Sequence, residues 1–478
     1  MALTVFDTLS KGKKKFVPQK EGKVGMYVCG ITPYDYCHLG HGRCYTAFDV
    51  IRRYLAYRGY ETKYVQNFTD IDDKIIKRAA EAKQDPFALS KKFSDEYFVD
   101  MDALGIVRAD AYPLVTQTIP DIIKFVQRLV GNGYAYAVEG EHGSGKDVYF
   151  EVSRFIPYGK LSGQERENLK AGARIGVDER KKAAEDFALW KSAKPGEPSW
   201  DSPWGKGRPG WHIECSVMST KHLGDTLDIH GGGQDLIFPH HEDEIAQSEA
   251  ATGKPFANYW LHNGFIVVGK DKMAKSLNNF VTLRQALEKH GARLVRLFYV
   301  STHYRSPLDA SSERIEELRP TLQKLVDTRT LLAHEAKNRD RPEKSDSDSA
   351  VEADVHAIAE KFEDAMDDDF NTPLALSALF ELKDFAYKLA AQKDASKKSF
   401  EFLADTYEKL ANGVLGIFDA KEADKDISDA EAAALVKERD AAKKAKDYKK
   451  ADEIRGLLNS KGIMLADKPT GTLWKRAA

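Results

Sequence analysis

The chain has 478 residues, 42% hydrophobic and 31% charged, with a formal net charge of -2. That length accommodates about three domains and a sizeable core. The composition is ordinary for a soluble globular protein. The four cysteines, Cys29, Cys37, Cys44 and Cys215, are too few for a disulfide framework and point to a reducing compartment. The opening MALTVFDTLSKGKKK has no apolar targeting core, and no later run approaches about 18 apolar residues. The expectation is a cytoplasmic protein with no membrane association. Charge is unevenly spread: from Lys437 onward there are 12 Lys/Arg and 6 Asp/Glu, a net of +6, so the tail reads as a basic module.

In chain order, Met26-Tyr27-Val28 reads as a buried strand that breaks at Gly30 and Pro33. A helix with apolar residues at Ala47, Val50, Ile51, Tyr54 and Leu55 is expected over Gly42 to Tyr57, stopped by Gly59. A second strand, Thr62 to Phe68, makes this β-α-β, the start of a parallel sheet. A helix over Lys74 to Lys83 and mostly helical structure over 88–133 follow. Tyr134 to Val138 and Asp147 to Phe150 alternate like a hairpin. Residues 155–210, rich in Gly, Pro and charge, read as an insertion between two halves of one sheet. The second half resumes near Trp211, with strands at Leu227 to His230 and Phe265 to Val268. A helix is expected to start at Phe238–Pro239, and one or two more over Leu283 to Tyr299. Residues 312–335 and 351–415 have the pattern of a helical bundle, split by a charged linker from Asn338 to Ser349. Ser428 to Ser460 reads as a basic helical hairpin, followed by an irregular Gly/Pro end with Trp474.

Two groups of residues carry chemistry. Cys215, His222, His230, His240, His241 and Glu244 crowd into one stretch. His240 and Glu244, four apart after Pro239, would share a helical face, and with Cys29 and Cys215 would make a tetrahedral Cys2HisGlu zinc set. Spacing alone favours small core cysteines and a helix-end histidine instead, because there is no CxxC pair. Spacing also leaves His240 against His241 open. The second group faces phosphate. His38-x-Gly40-His41 sits where a helix N-terminus meets an anion, with two imidazoles to donate and a glycine to admit the backbone. Lys272 and Lys275, in KDKMAKS, suit a polyphosphate clamp, or simply a solvated basic loop. In His230-Gly231-Gly232-Gly233-Gln234-Asp235, the glycines suit packing against an adenine ring and Asp235 a ribose; a plain tight turn is the alternative.

Each signal alone is weak, but their order on a split α/β sheet is specific. HLGH at 38–41 and KMAKS at 272–276 resemble the HIGH and KMSKS signatures of the class I aminoacyl-tRNA synthetases. NFTDIDDKIIKR at 67–78, DFALWK at 186–191, PWGKGRPGWHIECS at 203–216, HGGGQDLIFPHHEDEIAQS at 230–248, HYRSPLD at 303–309, KDYKKADEIR at 446–455 and GTLW at 471–474 resemble the cysteinyl branch of that family. The resemblance implies a Rossmann-type catalytic domain over 1–310 with a connective insertion at about 110–205. A helical bundle over 311–420 and a C-terminal anticodon-binding domain over 421–478 would follow.

It also implies ligation of L-cysteine to tRNA(Cys) through a cysteinyl-adenylate made from ATP, with Mg2+ accompanying the ATP, by a monomeric protein. One zinc ion per chain would sit on Cys29, Cys215, His240 and Glu244, selecting cysteine over serine because zinc prefers sulfur. His38 and His41 would meet the reacting phosphate, Lys275 with Lys272 the departing pyrophosphate, and Gly40, Gly232 and Asp235 the nucleotide. Thr69 and Trp211 would line the amino-acid pocket beside Cys29, a helix cap and a core aromatic being the alternatives. Arg439, Lys443, Asp447 and Trp474 would contact tRNA. Three departures stand out. Ala274 replaces the serine of KMSKS and Asn278 a glycine beyond it. Lys443 stands where arginine is common, and lysine cannot make a bidentate contact. A cysteine–aminosugar ligase would share the catalytic half, but a small amine needs no basic module.

Overall fold

This computed structural model describes residues 2–141, 145–164, 179–268, 271–272, 281–339, 348–420, 429–445, 447–460, 463–468 and 471–476. A hairpin, β1 (Thr4–Asp7) and β2 (Gly12–Lys15), precedes the first strand of the main sheet, β3 (Lys23–Ile31). The helix α1 (Leu39–Tyr57) and strand β4 (Glu61–Phe68) complete the expected β-α-β unit. The helix starts three residues before the apolar pattern does, because His38 caps it.

Helices α2 (Asp73–Ala82), α3 (Pro86–Ala103) and α4 (Ile119–Gly131) follow. The stretch read as mostly helical therefore contains a non-helical crossing between Ala103 and Ile119, part of which bridges to β4. Strands β5 (Ala135–Glu139), β6 (Lys146–Phe150), β7 (Phe187–Ser192) and β8 (Gly207–Pro209) form an antiparallel sheet in that order, so the expected hairpin and the insertion are one unit.

The main sheet resumes through α5 (Trp211–Leu223), β9 (Leu227–Gly233), α6 (Glu242–Thr252) and β10 (Ala257–Asn263). Its order is β10-β9-β3-β4 and every pairing is parallel. All four C-terminal strand ends consequently open on one edge, where sheets of this kind bind ligands. One expectation needs correction here. Phe238 is extended and the Phe238–Pro239 peptide is cis, so Ile237–His241 makes a wide turn and the regular helix begins at Glu242.

Alternation along β3 divides its side chains between two cores. Met26 and Val28 pack with Phe48, Ile51 and Leu294 on the α1 face, whereas Tyr27 and Cys29 pack with Ile213, Cys215 and Trp260 on the α5 face. Beyond the sheet come β11 (Ile266–Val268), β12 (Asp271–Lys272), α7 (Leu283–His290), α8 (Ala292–Val300) and β13 (Leu308–Asp309). The helices α9 (Ser312–Glu316), α10 (Arg319–Asn338), α11 (Asp348–Asp367), α12 (Thr372–Ala391) and α13 (Lys397–Glu408) make the bundle. It is not an independent unit: Leu322, Phe362, Leu382 and Leu403 belong to the same core as α1.

The C-terminal module pairs α14 (Asp429–Lys444) and α15 (Tyr448–Ser460) with a hairpin, β14 (Ile463–Lys468) and β15 (Gly471–Arg476). The end read as irregular is therefore a hairpin. Asp467↔Thr472 and Leu465↔Trp474 face each other across it, and Leu465 and Trp474 pack on a small core of Val436, Ile454 and Leu458. Among the described residues, no helix is long and apolar enough to cross a membrane.

Candidate active site and metal centre

At the end of β3, Cys29 faces the first turns of α5 and α6. Its Sγ lies 3.9 Å from Cys215 Sγ and 3.4 Å from Glu244 Oε1, and all three side chains are buried. His240 Nε2 is 3.0 Å from Glu244 Oε1, so the expected shared face survives the later helix start. Cys29, Cys215, His240 and Glu244 thus bring four donor atoms within 4.8 Å of one another. Two thiolates on a tetrahedral zinc at about 2.3 Å would stand about 3.8 Å apart, close to the separation between these sulfurs. The donor set therefore fits zinc.

A second group, Cys29, His230, His241 and Glu244, meets the same distance criterion, so geometry keeps both histidines in play. It holds one thiol instead of two. His230 Nε2 lies 2.7 Å from Glu244 Oε2, and His241 Nδ1 2.7 Å from His262 Nε2, whose Nδ1 is 2.8 Å from Thr8 Oγ1. His241 Nε2 reaches Cys29 Sγ at 3.3 Å. His240 is oriented differently: its Nδ1 is 2.9 Å from His212 Nδ1, and His212 Nε2 is 3.3 Å from Asp243. A partner on the ring nitrogen that faces away from the donors orients an imidazole for metal binding.

The electrostatics follow from crowding in a dry site. Burial pushes the Cys29 thiol well up, while the hydrogen bond from Cys29 pulls Cys215 below its ordinary value. Burial works against ionising Glu244, but His230 and His240 outweigh it and hold its carboxyl well below the usual range. Burial likewise opposes a charged His240, and Glu244 and Cys215 raise it regardless. His212 and His241 are pushed down, chiefly by burial.

Across the sheet edge, on the α1 face, His38 and His41 stack with ring centroids 3.6 Å apart. They cap α1 reciprocally: His41 N–H donates to His38 Nδ1 at 3.2 Å, and His38 N–H to His41 Nδ1 at 3.3 Å. An imidazole whose Nδ1 accepts must carry its proton on Nε2. Each Nδ1 is thereby an acceptor, which puts the ring proton on Nε2, and burial, reinforced by the charges of His38 and Lys74 when they are protonated, holds His41 well below the ordinary imidazole pKa. A Cβ on Gly40 would come within 2.9 Å of the His38 ring, and one on Gly232 within 3.0 Å of His241. Asp235 is exposed just beyond the end of β9.

Trp211 is 38% exposed and stacks on His240, centroids 4.5 Å apart, with Lys74 Nζ 5.9 Å from its ring. Thr69 is buried at the end of β4 and donates to Glu214 Oε2 at 2.8 Å. Trp211 thus stacks on one of the candidate donors, and Thr69 bonds the residue that precedes Cys215. His222 does not join them: it lies at the far end of α5, its carbonyl accepting from Lys63. Lys275, Ala274 and Asn278 lie outside the described residues, and of Lys272 only the backbone, in β12, is described. The far end of that stretch is well anchored: Leu283 N–H donates to Cys37 C=O at 2.7 Å, so α7 is stitched to the residue before His38.

In the C-terminal module Arg439 is buried, contrary to its expected place on the tRNA-facing surface. Its guanidinium bonds Asp467 at 2.9 and 3.1 Å and Thr472 Oγ1 at 3.0 Å. Lys443 Nζ also reaches Asp467, at 3.0 Å, while Asp447 is exposed and Trp474 half-buried. The residues that sequence reasoning missed are His212, His262, Thr8 and Glu214. His212 and Glu214 share the first turn of α5, while Thr8 and His262 lie elsewhere in the chain, and only the fold brings these three segments together.

A parallel sheet, a capped His-x-Gly-His turn and a connective insertion define a class I aminoacyl-tRNA synthetase catalytic domain. Residues 15–319 match the model described as tRNA synthetases class I (C) catalytic domain, and residues 361–419 match the DALR domain. The fold also resembles methionyl-tRNA synthetase of Mycobacterium tuberculosis, solved with methionyl-adenylate, at TM-score 0.61 and 17% identity over 82% of this chain and 91% of that one. Among curated proteins, cysteine–tRNA ligase of Thermodesulfovibrio yellowstonii is 49% identical over 99% of both chains, and that of Thermococcus onnurineus 50% identical over 100% of this chain and 99% of its own. The chain belongs to the cysteine–tRNA ligase family.

Proposed function

We propose that this chain is a ligase that activates L-cysteine with ATP and transfers it to tRNA(Cys), working in the cytoplasm. The observation that carries the cysteine assignment is the buried pair of thiols, Cys29 and Cys215, 3.9 Å apart with Glu244 and His240 beside them. We assign the metal to Cys29, Cys215, His240 and Glu244, because this set offers two thiolates and two suit zinc better than one. Bound there, zinc supplies a soft acceptor for the substrate's sulfur, which a serine hydroxyl matches poorly. A pocket judging size alone separates such close analogues by only about 10–200-fold.

The remaining roles follow from placement. Trp211 and Thr69 wall the pocket over the donors. His38 and His41 offer Nε2–H groups to the phosphate oxygens as negative charge builds during attack by the cysteine carboxylate. Because these rings are already capped in one tautomer, they need no reorganisation at that moment. Lys275 and Lys272 neutralise the departing pyrophosphate, and Gly40, Gly232 and Asp235 seat the nucleotide with its Mg2+. Residues 1–310, 311–420 and 421–478 are taken as catalytic, stem-contacting and anticodon-binding parts. Within the last part, Lys443, Asp447 and Trp474 keep tRNA-facing roles, while Arg439 serves by organising them. The protein is taken to act as a monomer.

Charging of tRNA from a cognate extract tests the assignment. Labelled cysteine should enter the tRNA in an ATP-dependent way and labelled serine should not. Equal incorporation of serine would contradict the thiol-based selection, and ATP-dependent transfer of cysteine to a small amine without tRNA would replace the function.

A further inference from the structure

The two thiols at the centre of the site are not held apart by the sheet. The β3–β4 ladder shifts register between Val28 and Ile31, and the β3–β9 ladder ends at Val28↔Gly231. Cys29 and Gly30 therefore fall in a bulge of the β3–β4 ladder and beyond the last pair of the β3–β9 ladder. Cys215 is on a separate element, in the first turns of α5. A fixed sulfur–sulfur separation must come from something else.

A chain of buried side chains crosses that bulge. Gly30 N–H donates to Asn67 Oδ1 at 2.8 Å. Asn67 Nδ2 donates to Thr69 Oγ1 at 3.4 Å, and Thr69 Oγ1 donates to Glu214 Oε2 at 2.8 Å. Thr69 N–H closes onto Ile31 C=O at 3.0 Å. The chain begins beside Cys29 and ends beside Cys215. Asn67, Thr69 and Glu214 are 1%, 3% and 2% exposed, so water does not compete for these bonds. The approach at Gly30 is close enough to exclude any side chain: a Cβ there would sit 1.5 Å from Asn67 O.

We propose that Asn67, Thr69 and Glu214 form a positioning frame that sets the separation of the Cys29 and Cys215 sulfurs. Glu214 is a positioning residue and not one of the donors. It accepts the hydrogen bond from the Thr69 hydroxyl, which leaves that oxygen's lone pairs to accept from Asn67. Loosening the frame widens the thiol pair, and metal affinity and cysteine binding fall together while nucleotide binding does not change. The inference rests on the zinc assignment above.

The test uses the full-length protein. Zinc affinity is measured by competition with a chelator, and KM for cysteine and for ATP by pyrophosphate exchange. Thr69→Val and Glu214→Ala should each weaken zinc binding by about 10–100-fold, the usual cost of losing a support behind a ligand. They should raise KM for cysteine and leave KM for ATP unchanged. Thr69→Ser and Glu214→Gln retain the hydroxyl and an acceptor oxygen, so zinc affinity should stay close to the parent's. Asn67→Ala gives a third, independent break should Glu214→Ala fail to fold. If the parent holds one zinc per chain and these breaks lower only the melting temperature, the frame is merely structural and the proposal is overturned. If the parent itself binds no zinc, the metal assignment has failed, and the frame with it.

Discussion

His38 does two jobs that one substitution can separate. Its Nδ1 caps α1 by accepting the His41 N–H, and the proposed phosphate donor is its other ring nitrogen, Nε2. Asparagine is a good N-cap but cannot reproduce the imidazole donor. His38→Asn should therefore keep the melting temperature near the parent's and lower cysteine-dependent pyrophosphate exchange by about 10²–10³-fold, the loss expected for one transition-state donor. Unchanged exchange would show that the ring serves the helix alone. At this scale the sequence was informative wherever a motif is contiguous: His38-x-Gly40-His41 could be read as a helix start because its cap lies within four residues. The thiol pair could not. Cys29 and Cys215 are 186 positions apart, and nothing in their spacing shows that β3 and α5 bring their sulfurs within 3.9 Å; only the resemblance pointed there.

Among elements, the C-terminal hairpin depends on one buried cation. Arg439 on α14 holds Asp467 on β14 and Thr472 on β15, and Lys443 holds the same carboxylate. Asp467→Ala would leave a buried guanidinium short of its partner, so it should loosen the module as much as Arg439→Ala does. Both should impair charging while sparing pyrophosphate exchange, with faster limited proteolysis after Lys444. If Asp467→Ala charges normally and Arg439→Ala does not, Arg439 acts on tRNA directly. Arg439 and Lys443 hold the Asp467 carboxyl below the usual range. A depressed carboxylate contributes stability above the unfolded pKa of about 3.9, so the module should resist acid until the pH falls below that value. Sequence periodicity found α14 and α15 but missed the hairpin, because the alternating residues Leu465 and Trp474 are embedded among Gly, Pro and Lys. The helix start at Pro239 was misplaced for a related reason: proline marks the neighbourhood of a boundary, and Phe238 decides its position by staying extended.

For the molecule as a whole, the catalytic sheet and the bundle share one core and one buried ionic junction. Arg296 on α8 pairs with Asp49 on α1 and donates to the carbonyls of Leu104 and Leu415, each at 2.9 Å. Arg53, also on α1, binds Asp49 at 2.8 Å and Asp419 at 2.7 Å. Gly416 adopts φ +65° where a Cβ would lie 2.2 Å from the Arg296 guanidinium, so the chain leaving the bundle can pass over it. Removing one partner of a buried pair usually costs about 3–5 kcal/mol. Arg296→Met should fall at the lower end, because Arg53 still faces Asp49, and denaturant unfolding should show sheet and bundle melting together. Separate transitions would mean that the two halves do not share a cooperative core. The sequence divided these halves by texture near Asp309, and texture reports motifs, not packing; Leu322 and Phe362 complete the core of a helix that begins at His38. The same division of labour places the two chemistries on opposite faces of one sheet edge, with the capped histidines on the α1 side and the thiols on the α5 side. The central claim is that the thiol side recognises cysteine through its sulfur, and one measurement addresses it directly. With cobalt(II) loaded in place of zinc, the sulfur-to-metal charge-transfer absorption counts thiolate ligands. It should rise when L-cysteine is added and stay unchanged with L-serine. An absorption unaffected by cysteine, at concentrations that saturate pyrophosphate exchange, would contradict it.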